Sequence, residues 1–334
     1  MSVTTEHVPV LVEKVVSLLR PCLGVGTVID ATAGGGGHLW ALAQEMQKLI
    51  PVGKQRCRLI GIDIDATALR FAQSRLSDFG CTFIREMAGV SSPVGCNQLS
   101  MILLIQANYV NMAEVVERLG ISPVSGVLMD LGLSSYQLRP ERGFSFEADG
   151  PLDMRFDQQS SKPTAREILQ EASINDLYSW FRVYADEPMA GRISRQIYAA
   201  RKDIRTTGDL VKVVEKVIPP RRLKKTLARI FQALRIVVNN EIENLRLGLK
   251  AAIRLLMPGG RLVVICYQSG EDRCFKEMYR EHRGELLLLT RKPLYPDADE
   301  VFANPRARSA RLRAVEKTEV AQDKRNNNYV WRRE

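Results

Sequence analysis

Histidine is scarce: His7, His38 and His282 are the only three in 334 residues. The six cysteines, at 22, 57, 81, 96, 266 and 274, form no Cys-x-x-Cys pair. A zinc site therefore has no support in the sequence, and no metal is expected. Cysteines in apolar stretches, such as Cys81 in "CTFI" and Cys266 in "VVICY", read as buried reduced thiols of a cytosolic chain. No apolar run has the length needed to cross a bilayer, so no membrane span is expected. The opening "MSVTTEH" lacks the basic start and apolar stretch of a secretory signal and the Arg-rich pattern of a transit peptide. A cytoplasmic location is the expectation. Two phosphate fingerprints are missing as well. No GxxxxGK[ST] occurs, and a GxGxxG begun at Gly34 would need a glycine where Leu39 stands.

What is present is an ordinary globular composition, 45% hydrophobic and 26% charged, in a chain long enough for one large or two smaller domains. The balance of charge is basic: 48 Lys and Arg against 38 Asp and Glu give a formal +10. An excess of this kind favours a polyanionic partner, of which nucleic acid is the commonest.

Five apolar runs alternate with helical periods: 27–33, 57–65, 81–86, 124–133 and 260–267. That alternation predicts a mostly parallel, doubly wound α/β sheet covered on both faces. Two later runs, 285–294 and 310–318, are suited to edge strands, and 88–106 reads as a loop insertion. Residues 140–225 contain no strand pattern. They carry three capping boxes, Thr164 with Glu167, Ser173 with Asp176, and Thr206 with Asp209, the last followed by an apolar face of Leu210, Val213, Val214 and Val217. We therefore expect an α/β domain, 1–139 with 226–334, interrupted by an all-helical domain, 140–225. Leu234, Val238, Ile242, Leu245, Leu249 and Ile253 predict one long helix that ends at Pro258-Gly259-Gly260.

The stretch "VIDATAGGGGHLW" (28–40) joins the first strand to the first helix of that alternation. Such a loop lies at the carboxyl edge of a parallel sheet, where these folds take ligands. With both phosphate fingerprints absent, a third ligand fits: S-adenosylmethionine, which has no phosphate and needs close backbone approach. Asp63 ends the second strand and can accept from both hydroxyls of a ribose, an arrangement that serves NAD as well. Asp65 reads as the cap of the next helix, and Asp130 closes the fourth strand.

Several longer motifs follow one another along nearly the whole chain. They include "HVPVLVEKVV" (7–16), "DATAGGGGH" (30–38), "GIDID" (61–65), "LMDLGLSSYQL" (128–138), "RGFSFEADGPLDMR" (142–155), "FQALRIVVNNE" (231–241), "EDR" (271–273) and "NPRARSARLR" (304–313). In these motifs and their order the chain resembles the bacterial small-subunit (16S) ribosomal RNA cytosine-N4 methyltransferases of the RsmH/MraW type. It departs from that pattern in three places. Lys225, Thr226 and Leu227 replace a His-Pro-Ala, "CYQSG" (266–270) replaces Ser-Phe-His-Ser-Leu with Gln268 in the histidine's place, and "YADE" (184–187) replaces Tyr-Gly-Glu-Glu.

The resemblance implies a class I S-adenosylmethionine-dependent methyltransferase, Rossmann-like, with an inserted helical domain for substrate recognition. It implies transfer of a methyl group to the exocyclic N4 of a decoding-region cytidine, cytidine 1402 in the usual family numbering, within an assembled small ribosomal subunit. Gly36, Gly37 and His38 would lie along the methionine part of the cofactor, Asp63 would hold the ribose, Tyr109 would stack near the adenine, and Asp130 and Gln137 would complete the pocket. Ser134, Ser135 and Asp153 are candidates for contacting the reacting base. Candidate RNA contacts are Arg142, Arg155, Arg192, Arg195, Lys202, Arg306 and Arg308. A methyltransferase on another RNA or on protein, and an inactive RNA-binding assembly factor, are the competing readings.

Overall fold

A computed structural model describes residues 9–49, 58–84, 102–133 and 137–319. They fall into two compact units: 1–132 with 244–334, and 133–243.

The first unit opens with α1 (Val12–Leu19), β1 (Val28–Asp30), α2 (Gly37–Leu49), β2 (Leu59–Asp63), α3 (Ala66–Arg75) and β3 (Cys81–Ile84). It continues with β4 (Ile102–Gln106), α4 (Met112–Arg118) and β5 (Val124–Asp130). The second unit contains α5 (Ala165–Glu171), α6 (Ile174–Val183), α7 (Ala190–Ala200), α8 (Thr207–Glu215) and α9 (Pro220–Asn239). The chain then runs through α10 (Glu241–Leu255), β6 (Leu256–Cys266), α11 (Ser269–Glu281), β7 (Leu286–Leu288), α12 (Ala298–Ala303) and β8 (Arg311–Lys317).

The strands form one sheet in the order β3-β4-β2-β1-β5-β6-β8-β7. From β3 to β6 all neighbours are parallel, and β8 runs antiparallel to both β6 and β7. This is the expected mostly parallel α/β sheet. Its central strands are apolar on both faces because helices cover both: β1, β2, β4 and β5 are buried except at their last residues or throughout. On α2, Leu39, Leu42, Ala43 and Met46 all turn inward. Each larger side chain of that face contributes roughly 1.5–3 kcal/mol of burial free energy.

The strand order reverses at β1. From there the chain builds outward to β2, β4 and β3 on one side and to β5, β6, β8 and β7 on the other. The crevice at the carboxyl ends of β1 and β5 is therefore the switch point, where the loops diverge and leave room for a ligand.

Four expectations need correction. Residues 88–106 are not loop throughout, because Ile102–Gln106 is strand β4, inserted between β2 and β3. Its "ILLIQ" run is buried like that of a central strand. The predicted third strand is thereby displaced to the sheet edge. The single long helix is two: α9 ends where Asn240 adopts a left-handed conformation (φ 52°), a geometry that asparagine tolerates better than most residues. β8 is an interior strand, not an edge. Finally, the helical unit is longer at both ends than 140–225, and a boundary at 225 would cut α9.

All three predicted capping boxes form, at Thr164, Ser173 and Thr206. The helical unit has its own apolar core, including Leu177, Phe181, Ile193, Ile197, Leu210 and Ile230. Among the described residues no helix is long and apolar enough to cross a membrane, and no group of three or more His, Cys, Asp or Glu side chains is placed to hold a metal ion.

Candidate active site

Three carboxylates and one histidine gather at the switch point, and each is placed by an element end. Asp30, Asp63 and Asp130 are the last residues of β1, β2 and β5, and His38 is in the first turn of α2. Parallel strands bring their carboxyl ends to one edge, so residues far apart in sequence meet there.

The glycine loop is tied to this edge. The Gly34 amide donates to Asp63 Oδ2 at 2.8 Å, and the Asp65 amide donates to Asp63 Oδ1 at 2.8 Å. Asp65 caps α3 by accepting from the Thr67 and Ala68 amides. Gly36 has φ 76°, and a Cβ there would stand 3.0 Å from that of Ala72 on α3. A Cβ on Gly37 would meet the Pro9 ring at 2.9 Å. These two glycines are thus demanded by backbone conformation and by packing against α3 and the N-terminal segment, beyond any ligand they border.

Burial pushes the Asp63 carboxyl up to about 6, against the pull of the Asp65 and Gly34 amides. Asp30 is 1% exposed. Its Oδ1 accepts from the Thr32 amide at 3.1 Å, while Oδ2 is buried with no hydrogen-bond partner among the described residues. Burial pushes Asp30 up to about 7, opposed chiefly by His38. The Asp130 amide donates to Thr32 Oγ1 at 2.6 Å, which ties β5 to the loop after β1. His38 Nε2 lies 2.9 Å from the Val10 carbonyl and must donate to it, which leaves Nδ1 facing Asp130 Oδ2 at 3.8 Å. The Tyr267 hydroxyl donates to Asp130 Oδ1 at 2.9 Å.

Tyr109 begins the short turn Tyr109–Asn111 after β4, at the same sheet edge. Its ring lies against Gly248 of α10, where a Cβ would come within 2.6 Å of it. Gly36, Gly37, His38, Asp63, Tyr109 and Asp130 therefore all belong to the α/β unit and stand at or beside its carboxyl edge. Gln137 belongs to the helical unit, where it is buried. Ser134 and Ser135 lie outside the described residues.

Asp153, Arg142 and Arg155 each make hydrogen bonds inside the helical unit. Arg155 Nε and Nη2 hold the two oxygens of Asp153 at 2.8 and 2.9 Å, and Arg155 Nη1 donates to the Ser160 carbonyl at 2.7 Å. Burial would raise the Asp153 carboxyl, but the Arg155 hydrogen bonds hold it below its ordinary value. Such a carboxylate is a structural anchor and a poor proton acceptor. Arg142 is 8% exposed and donates to the Phe156 carbonyl at 2.8 Å and the Arg155 carbonyl at 3.2 Å. Asn239 completes the knot, accepting from the Phe156 amide and donating to the Met154 carbonyl, both at 2.8 Å. This explains why "RGFSFEADGPLDMR" and the end of "FQALRIVVNNE" occur together: each supplies half of one hydrogen-bonded structure. Arg192 and Arg195 on α7, Lys202 just beyond it, and Arg306 and Arg308 in the turn Pro305–Ser309 are exposed.

Sequence reasoning missed Asp30, Thr32 and Tyr267. Asp30 sits in the quoted "VIDATA", and a carboxylate closing a buried strand is itself a signal. Nothing local to Tyr267 points to Asp130, 137 residues away in sequence.

Comparison with known proteins identifies the family. Residues 4–318 match the MraW methylase family. The chain is 38% identical over 338 residues to a ribosomal RNA small subunit methyltransferase H of Carboxydothermus hydrogenoformans, covering 95% of this chain and 99% of the relative. It is 41% identical over 327 residues to that of Thermotoga neapolitana, covering 96% and 99%. Among solved structures, an rRNA methylase from Streptococcus thermophilus aligns over 92% of this chain and 96% of its own, at 13% identity and a TM-score of 0.40. With the family match running from the N-terminal segment to β8, and two such relatives matched along almost their full length, the chain belongs to the MraW methylase family.

Proposed function

We propose that this protein transfers a methyl group from S-adenosyl-L-methionine to the exocyclic N4 of a decoding-region cytidine in 16S rRNA, acting in the cytoplasm on the assembled small ribosomal subunit. The observation that carries the cofactor assignment is the acidic switch point. Asp30 and Asp130 flank His38, Asp63 adds its charge at Asp30, and Asp30 Oδ2 is buried without a hydrogen-bond partner among the described residues. A dinucleotide pyrophosphate would be repelled there. S-adenosylmethionine fits, because it brings a sulfonium and an ammonium to the carboxylates and ribose hydroxyls to Asp63. The names of the relatives support rRNA of the small subunit as the substrate.

The cofactor supplies an activated methyl group on a good leaving group. The protein's part is then alignment and charge handling. Asp63 has its two oxygens fixed by backbone amides, so their remaining lone pairs are held for two hydroxyl donors. The N-terminal turn of α2, at Gly37 and His38, favours the methionine carboxylate through its orphan N–H groups. Asp130 faces the cationic end, and the buried Asp30 adds negative charge beside it. The N4 nitrogen becomes acidic once it is alkylated, so it needs a proton acceptor but no strong base. Ser134 and Ser135 follow β5 in the chain and are the candidates for orienting the base. Exposed Arg192, Arg195, Lys202, Arg306 and Arg308 are suited to phosphate contacts. The target amine must be unstacked or single-stranded to be reached.

The test is genetic and chemical. Deleting the gene and mapping small-subunit RNA by mass spectrometry should show loss of one N4-methylcytidine, restored by the wild-type gene and not by Asp63→Ala. Persistence of the modification in a strain with no second such enzyme refutes the assignment.

A further inference from the structure

Asp130 is held by one neutral donor among groups that are mostly acidic. Tyr267 directly follows β6, and its hydroxyl donates to Asp130 Oδ1 at 2.9 Å. Its ring is seated against Gly132, where a Cβ would come within 2.9 Å of Cε2. Its own amide donates to Glu271 Oε2 at 2.8 Å. Glu271 is 3% exposed and also accepts from the Gln268 side chain at the start of α11. The tyrosine is therefore fixed at its backbone, at its ring and at its hydroxyl.

The charged surroundings give that hydroxyl its importance. Asp130 shares the edge with Asp30 from β1 and with His38 from α2. Asp63 from β2 adds negative charge at Asp30, and Glu271 from α11 and Glu300 from α12 add it at Tyr267. Like charges gathered at one edge repel, so a carboxylate without a tether turns away. Burial first, and then Asp130, hold the Tyr267 phenol well above the ordinary tyrosine range, so it remains a donor throughout neutral pH. His38 Nδ1, at 3.8 Å, is beyond hydrogen-bond reach of the second oxygen.

We propose that Tyr267 is a positioning residue: its hydroxyl locks Oδ1 of Asp130, so that Oδ2 is presented as a fixed acceptor to the cationic end of the cofactor. The proposal rests on the methyltransferase reading above for the identity of that ligand. A phenylalanine at this place keeps the ring contact with Gly132 and removes only the hydroxyl.

The experiment is a double-mutant cycle on the full chain, with Tyr267→Phe, Asp130→Asn and the pair, read by calorimetry with S-adenosylmethionine from pH 5 to 8. Tyr267→Phe should fold with an unchanged circular dichroism spectrum. It should bind about tenfold more weakly, the effect of losing one hydrogen bond to a charged group. In the Asp130→Asn background, removing the hydroxyl should change affinity less than about twofold. Additive effects, or a folded Tyr267→Phe protein with wild-type affinity, overturn the proposal alone. A wild-type chain that fails to bind S-adenosylmethionine overturns the methyltransferase reading and this proposal with it.

Discussion

Lowering the pH from 8 to 5 should weaken S-adenosylmethionine binding about tenfold, with an inflection near 6. The reasoning starts from Asp63. In the free protein burial raises its carboxyl to about 6, so at pH 5 roughly nine molecules in ten carry the proton. The amides of Gly34 and Asp65 already occupy one lone pair on each oxygen. Ribose hydroxyls must donate to the remainder, and they bind the ionised form better. If the bound cofactor returns the carboxyl to an ordinary value near 3.8, the complex at pH 5 is almost fully deprotonated. Binding then releases close to one proton, and linkage converts the difference into about a factor of ten, or about 1.4 kcal/mol. The sign is fixed: the complex holds fewer protons than the free protein, so affinity rises as pH rises through 6 and levels above it. Asp30, raised to about 7, acts in the same direction if it faces the ammonium. Calorimetry in two buffers of different ionisation enthalpy measures both the affinity and the proton count, and Asp63→Asn should remove the inflection near 6. A dissociation constant that stays constant within a factor of two from pH 5 to 8, or proton uptake on binding, refutes the argument.

Three further outcomes follow from the geometry. Asp63→Ala should weaken cofactor binding by roughly 10- to 100-fold, while Arg192→Ala, exposed on α7, should leave it within about twofold; the reverse ranking contradicts the pocket. Gly36→Ala, at φ 76° and 3.0 Å from Ala72, should cost roughly 1–3 kcal/mol in denaturant unfolding, more than Gly34→Ala at φ 49°, whose Cβ would have no neighbour nearer than 3.9 Å. Asn239→Ala removes the links to Phe156 and Met154 and should cost about 1–3 kcal/mol, with faster amide exchange over 140–157 and no change over α2.

The strands of the central sheet are legible because a parallel strand buried on both faces must be apolar throughout, and 27–33, 57–65, 124–133 and 260–267 each read that way. β4 escaped because no helical period separates its five residues from the apolar run at 81–86, so the alternation of strand and helix left no place for a further strand. The break at Asn240 escaped for a different reason. The apolar stripe continues through it with the right spacing, and only the left-handed backbone at one asparagine separates α9 from α10. The capping boxes were legible because both partners lie within four residues, so the sequence holds the whole interaction. Arg142, Arg155 and Asp153 look in the sequence like an exposed basic and acidic group available for RNA and chemistry. Arg142 reaching the Arg155 and Phe156 carbonyls, and Asn239 of α9 reaching Phe156 and Met154, depend on chain reversals that no local pattern encodes.

The sequence by itself determined the alternating α/β order, the helical insertion, the loop with no phosphate fingerprint, and Asp63 and Asp130 as strand-end carboxylates. Each of these is a matter of local pattern: residue spacing, strand ends and helix starts. The tertiary structure alone decided that β1 is the switch point, that Asp30 is buried beside His38 with an unmatched oxygen, and that Tyr267 reaches Asp130. These are facts of strand order, and strand order depends on which apolar faces pair across the whole sheet, a choice made by long-range packing.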